Sequence, residues 1–90
     1  MIMGTTHDLK TLPKYFEAVL NRQKTFEVRK KDRCFQIGDI MNLLEYEDGF
    51  GYTGNCITTQ ITYVLDDPAY CKEGFVILGF TIIIAVKYNL

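Results

Sequence analysis

In the N-terminal third of the chain, the apolar residues are spaced first with the period of a helix and then with the period of a strand. Four apolar residues are spaced at i, i+4, i+7 and i+8, which is one stripe of an α-helix. They are Leu12, Phe16, Val19 and Leu20. Thr11 is a candidate N-cap and Pro13 suits a first helical turn. The spacing therefore predicts a short helix, preceded by a first strand over residues 5–10.

After the helix the period becomes two, which predicts a strand from about Lys24 to Lys30. Alternation places Phe26 and Val28 in the core. The opposite face would carry Thr25, Glu27 and Arg29. One face is then expected to pack and the other to bind or react.

Three later segments have the composition of strands. They are 40–46, 56–65 and 74–86. Residues 47–52, rich in Gly and Asp, predict a hairpin tip, and Gly79 predicts a bulge or bend. On the segment 56–65, one face is expected to carry Ile57, Ile61, Tyr63 and Leu65. One helix and about five closely spaced strands predict an α+β, mainly β domain over residues 1–90, with the helix packed on a small curled sheet or barrel.

Composition narrows the class of protein. At 90 residues and 48% apolar, the chain is long enough to form one core. Cys34, Cys56 and Cys71 have no metal-ligand spacing, and His7 stands alone, so we expect no metal, no cofactor and a reduced, cytoplasmic setting. The N-terminus, Met1-Ile2-Met3-Gly4, does not resemble a signal peptide, and the apolar run 75–86 is too short to span a membrane.

The net charge of −1 hides an asymmetry along the chain. Residues 1–33 carry eight basic and four acidic side chains, a net of +4, whereas residues 34–90 carry −5. A local positive field can attract a phosphate or a nucleic acid even when the whole chain is weakly acidic. The alternative is an ordinary solvated basic surface.

The segment Arg22-Gln23-Lys24-Thr25-Phe26-Glu27-Val28-Arg29 resembles the signature of the ASCH domain family in the PUA-like superfamily, Gly-x-Lys-x-x-Glu-x-Arg. Three of its four named positions match, and Arg22 stands where the pattern has Gly. Flanking segments resemble an uncharacterised ASCH-like subgroup of bacteria and phages. They are His7-Asp8-Leu9-Lys10, Pro13-Lys14-Tyr15-Phe16, Arg29-Lys30-Lys31-Asp32-Arg33, Gly38-Asp39 and 74–79.

The resemblance implies a small PUA-like β-barrel with a covering helix and a cleft for a base or nucleotide. It also implies RNA binding, or hydrolysis of acylated cytidine nucleosides as in some small members of the family. In those members a threonine follows the lysine by three residues, at the position that Glu27 occupies here. That departure weakens the hydrolytic interpretation.

The residues themselves suggest the same ligand class. Lys24 and Arg29 can bind phosphate, and Glu27 can accept a hydrogen from a base or orient the two cations. Lys10 and Arg33 are further candidate ligand-binding residues, and Tyr46, Tyr52 and Tyr63 could stack on bases or simply pack.

Three functions therefore compete. We expect a module that binds RNA or a nucleotide, with no catalysis. The alternatives are an amidohydrolase with Lys24 and Glu27 as its acid/base pair, and a protein-interaction module with an exposed apolar patch. If Glu27 and Arg29 merely pair on a solvated strand face, the contact is worth only ~0–1 kcal/mol and no ligand is implied.

Overall fold

The computed structural model describes residues 4–88, so the segment 1–3, on which part of the signal-peptide expectation rests, lies outside the described residues. The elements, in chain order, are β1 (Thr6–Thr11), α1 (Pro13–Leu20), β2 (Phe26–Lys30), β3 (Ile40–Glu47), β4 (Gly51–Leu65) and β5 (Phe75–Val86). Between residues 4 and 88, no helix has the length and apolarity needed to cross a membrane.

The five strands form one sheet in the order β1-β3-β4-β5-β2. The pairing of β1 with β3 is parallel, and the other three pairings are antiparallel. The edge strands β1 and β2 therefore run in opposite directions. The sheet curls until Arg29 Nη2 of β2 donates to the Lys10 carbonyl of β1 at 2.9 Å. This half-barrel with one short helix confirms the predicted α+β, mainly β class; the gap between β1 and β2 is called the seam below.

The helix packs most of its predicted stripe against the concave face of the curled sheet, but Leu12, at the N-cap, is 40% exposed. Phe16 and Val19 are fully buried, and Leu20 is partly buried against the same core. The sheet contributes mainly aliphatic residues. They are Leu9, Met41, Leu43, Ile57, Ile61, Val76 and Leu78. Burial of this continuous apolar cluster is what holds the helix against the strands.

The helix ends in a Schellman motif, which explains the geometry of Arg22. The amide of Gln23 donates to the Ala18 carbonyl and that of Arg22 to the Val19 carbonyl, each at 2.9 Å. The motif requires a left-handed residue just after the helix, and Arg22 has φ of 62°. Glycine is the residue best suited to that position.

The predicted N-cap is wrong. Leu12 occupies the N-cap position, and no side chain caps the helix there. Thr11 belongs to β1, where its hydroxyl donates to the Leu9 carbonyl at 3.2 Å. Pro13 is at the start of the helix as predicted, and its fixed φ and missing N–H suit that position.

The predicted facing of β2 is also wrong. Phe26 and Val28 are 44% and 49% exposed, whereas Glu27 is only 3% exposed. Alternation along the strand is present, but the inward positions are Glu27 and Arg29. The inward side of this edge strand faces the seam, where ion pairs rather than apolar contacts fill the space. The strand is also shorter than predicted, because Lys24 and Thr25 precede it.

The pattern of β4 holds until a break in register. Ile57 and Ile61 are buried as predicted, but Tyr63 is 61% exposed. The pairing with β5 shifts between Ile61 and Tyr63, next to Gly79, which pairs with Tyr63. A one-residue bulge reverses the faces beyond it, so Val64, not Tyr63, packs against the core.

Candidate functional site

The three charged side chains that were predicted to act together, Lys24, Glu27 and Arg29, converge at the end of the seam next to α1. Glu27 Oε2 accepts from Lys24 Nζ at 2.6 Å. Glu27 Oε1 accepts from Arg29 Nε at 3.0 Å and from Arg29 Nη2 at 2.8 Å. The carboxylate is therefore held between two cations, and the Lys24-Glu27-Arg29 cluster carries a net charge of +1.

The chain positions this cluster through its local structure. The Schellman motif turns the chain after α1, and a further bond from the Lys24 amide to the Ala18 carbonyl at 3.0 Å fixes the start of the next segment. Lys24 Nζ also donates to the Phe26 carbonyl at 2.6 Å. On the other side, Arg29 Nη2 reaches Thr11 Oγ1 at 3.2 Å across the seam. The cluster thus joins α1, β1 and β2.

An open cavity of about 500 Å³ lies over the cluster. Its lining comes from the end of β1, the start of α1 and the strand β2. The lining residues are Lys10, Thr11, Leu12, Tyr15, Lys24, Phe26, Glu27, Val28 and Arg29. We call this the upper cavity. Its volume is within the range of cavities that bind small molecules and cofactors.

Aromatic rings flank the ammonium group in the upper cavity. Lys24 Nζ lies 5.6 Å from the Tyr15 ring centroid and 5.0 Å from that of Phe26. Both rings are 44% exposed. An exposed ring next to a cation offers a planar base a stacking surface and its phosphate a counter-charge.

The contacts of Glu27 define its role. The carboxylate is 3% exposed and receives three hydrogen bonds from the two cations. Its lone pairs are largely occupied, so it orients Lys24 and Arg29 rather than offering itself to a base. Among residues 4–88, Arg29 Nη1 has no acceptor, and its two hydrogens are available to a ligand.

The other two predicted ligand-binding residues lie along the same seam but outside the cluster. Lys10 lines the upper cavity, with its Nζ 4.3 Å from the Tyr46 ring centroid. Arg33 lies at the opposite end, where its Nε donates to Asp32 Oδ1 at 3.2 Å. Arg33 lines a second cavity instead. The five predicted residues therefore share one seam but not one pocket.

His7 is buried and has a structural partner. Its Nε2 lies 2.8 Å from Asp39 Oδ2, and its ring centroid is 4.7 Å from that of Phe35. The Asp39 carboxylate also accepts from the amides of Thr5 and Gln36. Burial raises the pKa of Asp39, but the hydrogen bonds from His7, Gln36 and Thr5 outweigh it and leave the pKa below its usual value. This pair fastens the starts of β1 and β3.

Sequence reasoning missed two groups of residues. Tyr15 and Phe26 line the upper cavity, although Phe26 was assigned to the core. Asp39, the buried partner of His7, was not among the candidate residues. The sequence held a signal for Tyr15, because an aromatic residue that lies off the apolar stripe of α1 is expected to be exposed. Within residues 4–88, no group of three potential metal ligands is present.

Comparison with known proteins gives the family. The model of "Domain of unknown function (DUF3850)" matches residues 6–80. The chain belongs to the DUF3850 family. A relative in Escherichia phage P2, "Uncharacterized 12.9 kDa protein in GpA 3'region", is 40% identical over 89 residues, which cover 96% of this chain and 81% of that protein. The DUF3850 match includes every residue that lines the upper cavity.

Proposed function

We propose that this DUF3850 protein binds RNA or a nucleotide in the upper cavity, as an ASCH-type, PUA-like module. Lys24 and Arg29 bind the phosphate, and Glu27 positions them. Tyr15 and Phe26 stack on the base. The observation that carries the proposal is the buried Glu27 carboxylate, which holds two cations at the mouth of an open cavity with exposed aromatic walls.

Charge and burial both support an anionic ligand. The side chains of Lys24 and Arg29 are 18% and 22% exposed, so both are partly desolvated yet reach the cavity. A cation in such surroundings attracts a phosphate more strongly than a solvated surface lysine does, because the effective dielectric constant is lower. Arg29 adds a planar donor group suited to phosphate oxygens.

The same contacts favour binding over hydrolysis. A catalytic acid/base pair needs a group that is free to take a proton from the reacting atom. Lys24 Nζ instead donates to both the Glu27 carboxylate and the Phe26 carbonyl at 2.6 Å. Thr11 lines the cavity, but its hydroxyl already donates to the Leu9 carbonyl and accepts from Arg29 Nη2. These contacts describe an organised cationic site.

Calorimetric titration with adenosine and uridine monophosphates and with a short RNA tests the proposal. We expect binding that weakens as salt rises, and a loss of about tenfold or more in Lys24→Gln and Arg29→Gln. Lys87→Gln is the matched control, because Lys87 pairs with Glu17 away from the seam. Absence of binding by all three ligands, or equal losses in the control, would contradict the proposal. Incubation with N4-acetylcytidine checks for hydrolysis in parallel.

A further inference from the structure

A second cavity continues the upper cavity along the seam. It has a volume of about 560 Å³ and shares Lys10, Val28 and Arg29 with the upper cavity. We call it the lower cavity. The rest of its lining comes mainly from β1, β2 and the loop after β2. Those residues are Asp8, Leu9, Lys30, Asp32, Arg33, Phe35, Tyr52 and Phe75.

The two cavities adjoin at these three shared residues, and together they are called the groove below. Strand β2 forms one wall of it from Phe26 to Lys30, a distance of about 13 Å at ~3.3 Å per residue. Arg29 lies at the junction, with Nη1 free of acceptors among residues 4–88. A ligand confined to the upper cavity would leave the lower half of this groove empty.

The lower cavity repeats the chemistry of the upper one. Its lining contains four cationic side chains and two carboxylates, and both carboxylates are already engaged. Asp8 accepts from Asn42 at 3.0 Å, and Asp32 accepts from Arg33 at 3.2 Å. Tyr52, which lines this cavity, is 55% exposed. A second phosphate can lie near Lys30 and Arg33, and a second base can stack on Tyr52.

We infer that the ligand of this groove is a single-stranded oligonucleotide of at least two nucleotides. The inference rests on the proposed function and extends it to a second subsite. Its first nucleotide occupies the upper cavity, its backbone passes Arg29, and its second nucleotide occupies the lower cavity. Bases that stack on Tyr15, Phe26 and Tyr52 must be unstacked from one another and unpaired, so a duplex does not fit.

The test compares 5′-phosphorylated adenylates of one, two and six nucleotides, as ribo and deoxyribo series, by calorimetry at low salt. We expect the dinucleotide to bind at least tenfold more tightly than the mononucleotide. The salt slope should steepen by about 0.7 for each added phosphate contact. Equal affinity for the ribo and deoxyribo series would indicate that the groove contacts only phosphates and bases. Tighter binding of the ribo series would indicate that it also contacts the 2′-hydroxyl of the sugar.

Variants separate the two subsites. Lys30→Gln and Arg33→Gln should weaken the dinucleotide by about fivefold to tenfold and weaken the mononucleotide by less, because a mononucleotide can bind in the upper cavity without them. Lys31→Gln is the matched control, because Lys31 lies between Lys30 and Arg33 in the chain but pairs with Asp66 and lines neither cavity. All three residues are exposed, and circular dichroism verifies the fold of each variant.

Two failures are distinguishable. If the mononucleotide binds but affinity does not rise with length, or if Lys30→Gln and Arg33→Gln match Lys31→Gln, the two-subsite inference is overturned while the proposed function stands. If no adenylate of any length binds, the two-subsite inference is overturned as well, and the proposed function itself fails if uridine monophosphate and the short RNA also do not bind. Tighter binding of a duplex than of the single strand would also overturn the inference.

Discussion

Replacing Glu27 with glutamine removes one charge from the seam while preserving the shape of the side chain. In the protein, its carboxylate accepts bonds of 2.6, 2.8 and 3.0 Å from Lys24 and Arg29. In Glu27→Gln the amide oxygen can still accept from Arg29. The amide nitrogen then faces the Lys24 ammonium, so two donors oppose each other.

The expected loss follows from these contacts. Hydrogen bonds to charged groups contribute about 1.5–3 kcal/mol each, roughly twice the value of neutral ones. Breaking a buried ion pair costs about 3–5 kcal/mol. Lys24 and Arg29 are about one-fifth exposed and can regain some hydration, which lowers that figure. We therefore expect Glu27→Gln to lower the free energy of unfolding by about 2–3 kcal/mol, a decrease in Tm of about 10–20 °C.

Thermal and urea unfolding followed by circular dichroism measure this loss, and Glu45→Gln is the matched control. Glu45 is also buried, but Thr53 and Asn55, both neutral, donate to it at 2.9 and 2.8 Å. A neutral amide can accept those bonds, so the control should lose less than about 1 kcal/mol. Equal losses in the two variants would refute the reasoning that two cations hold Glu27.

Three further predictions concern the fold. Arg22→Gly should raise the free energy of unfolding by about 0.5–1 kcal/mol in urea melts, because φ of 62° strains a residue with a Cβ; unchanged or lower stability would contradict this. Because the pKa of Asp39 is lower in the folded than in the unfolded protein, the ionised carboxylate stabilises the fold. This stabilisation is complete above the unfolded-state pKa of about 3.9 and is lost as pH falls through the folded-state pKa. In Asp39→Asn that part of the acid dependence should disappear from a pH series of melts, whereas an unaltered dependence would exclude this role. Val28→Thr, at an exposed position, should change the free energy of unfolding by less than about 0.5 kcal/mol. Val76→Thr, at a buried position, should lower it by about 1–3 kcal/mol. Similar losses in the two variants would indicate that Val28 is buried and would contradict the observed facing of β2.

Much of the fold could be predicted because local patterns agree with the tertiary packing. The stripe of α1 is buried at Phe16 and Val19, and the five strands occur in the predicted order. The facing of β2 could not be predicted, since alternation specifies two faces but not which one turns inward. Tyr63 was misplaced for a related reason. Gly79 predicts a bulge or bend, but it does not indicate that the faces of the partner strand reverse beyond Ile61.

The candidate site was predictable in its charges but not in its surroundings. The spacing of Glu27 and Arg29 places them on one face of the strand, and Lys24, which precedes β2, also contacts Glu27 in the structure. Contacts across the seam depend on how far the sheet curls, which sequence spacing does not encode. The tertiary structure therefore decides two features that the sequence could not indicate. Arg29 donates to the Lys10 carbonyl, and Arg33 lines the lower cavity and not the upper one.

The most direct test of the central claim is an amide chemical-shift map of the ¹⁵N-labelled protein titrated with the phosphorylated adenine dinucleotide. We expect the perturbed amides to lie at residues 8–12, 15, 24–33 and 52, around the seam. The exposed end of β5, which includes Ile83 and Ile84, is the surface that a protein-interaction module would offer instead. Perturbations confined to that end of β5, or none at saturating ligand, would contradict the claim that the seam binds nucleotides.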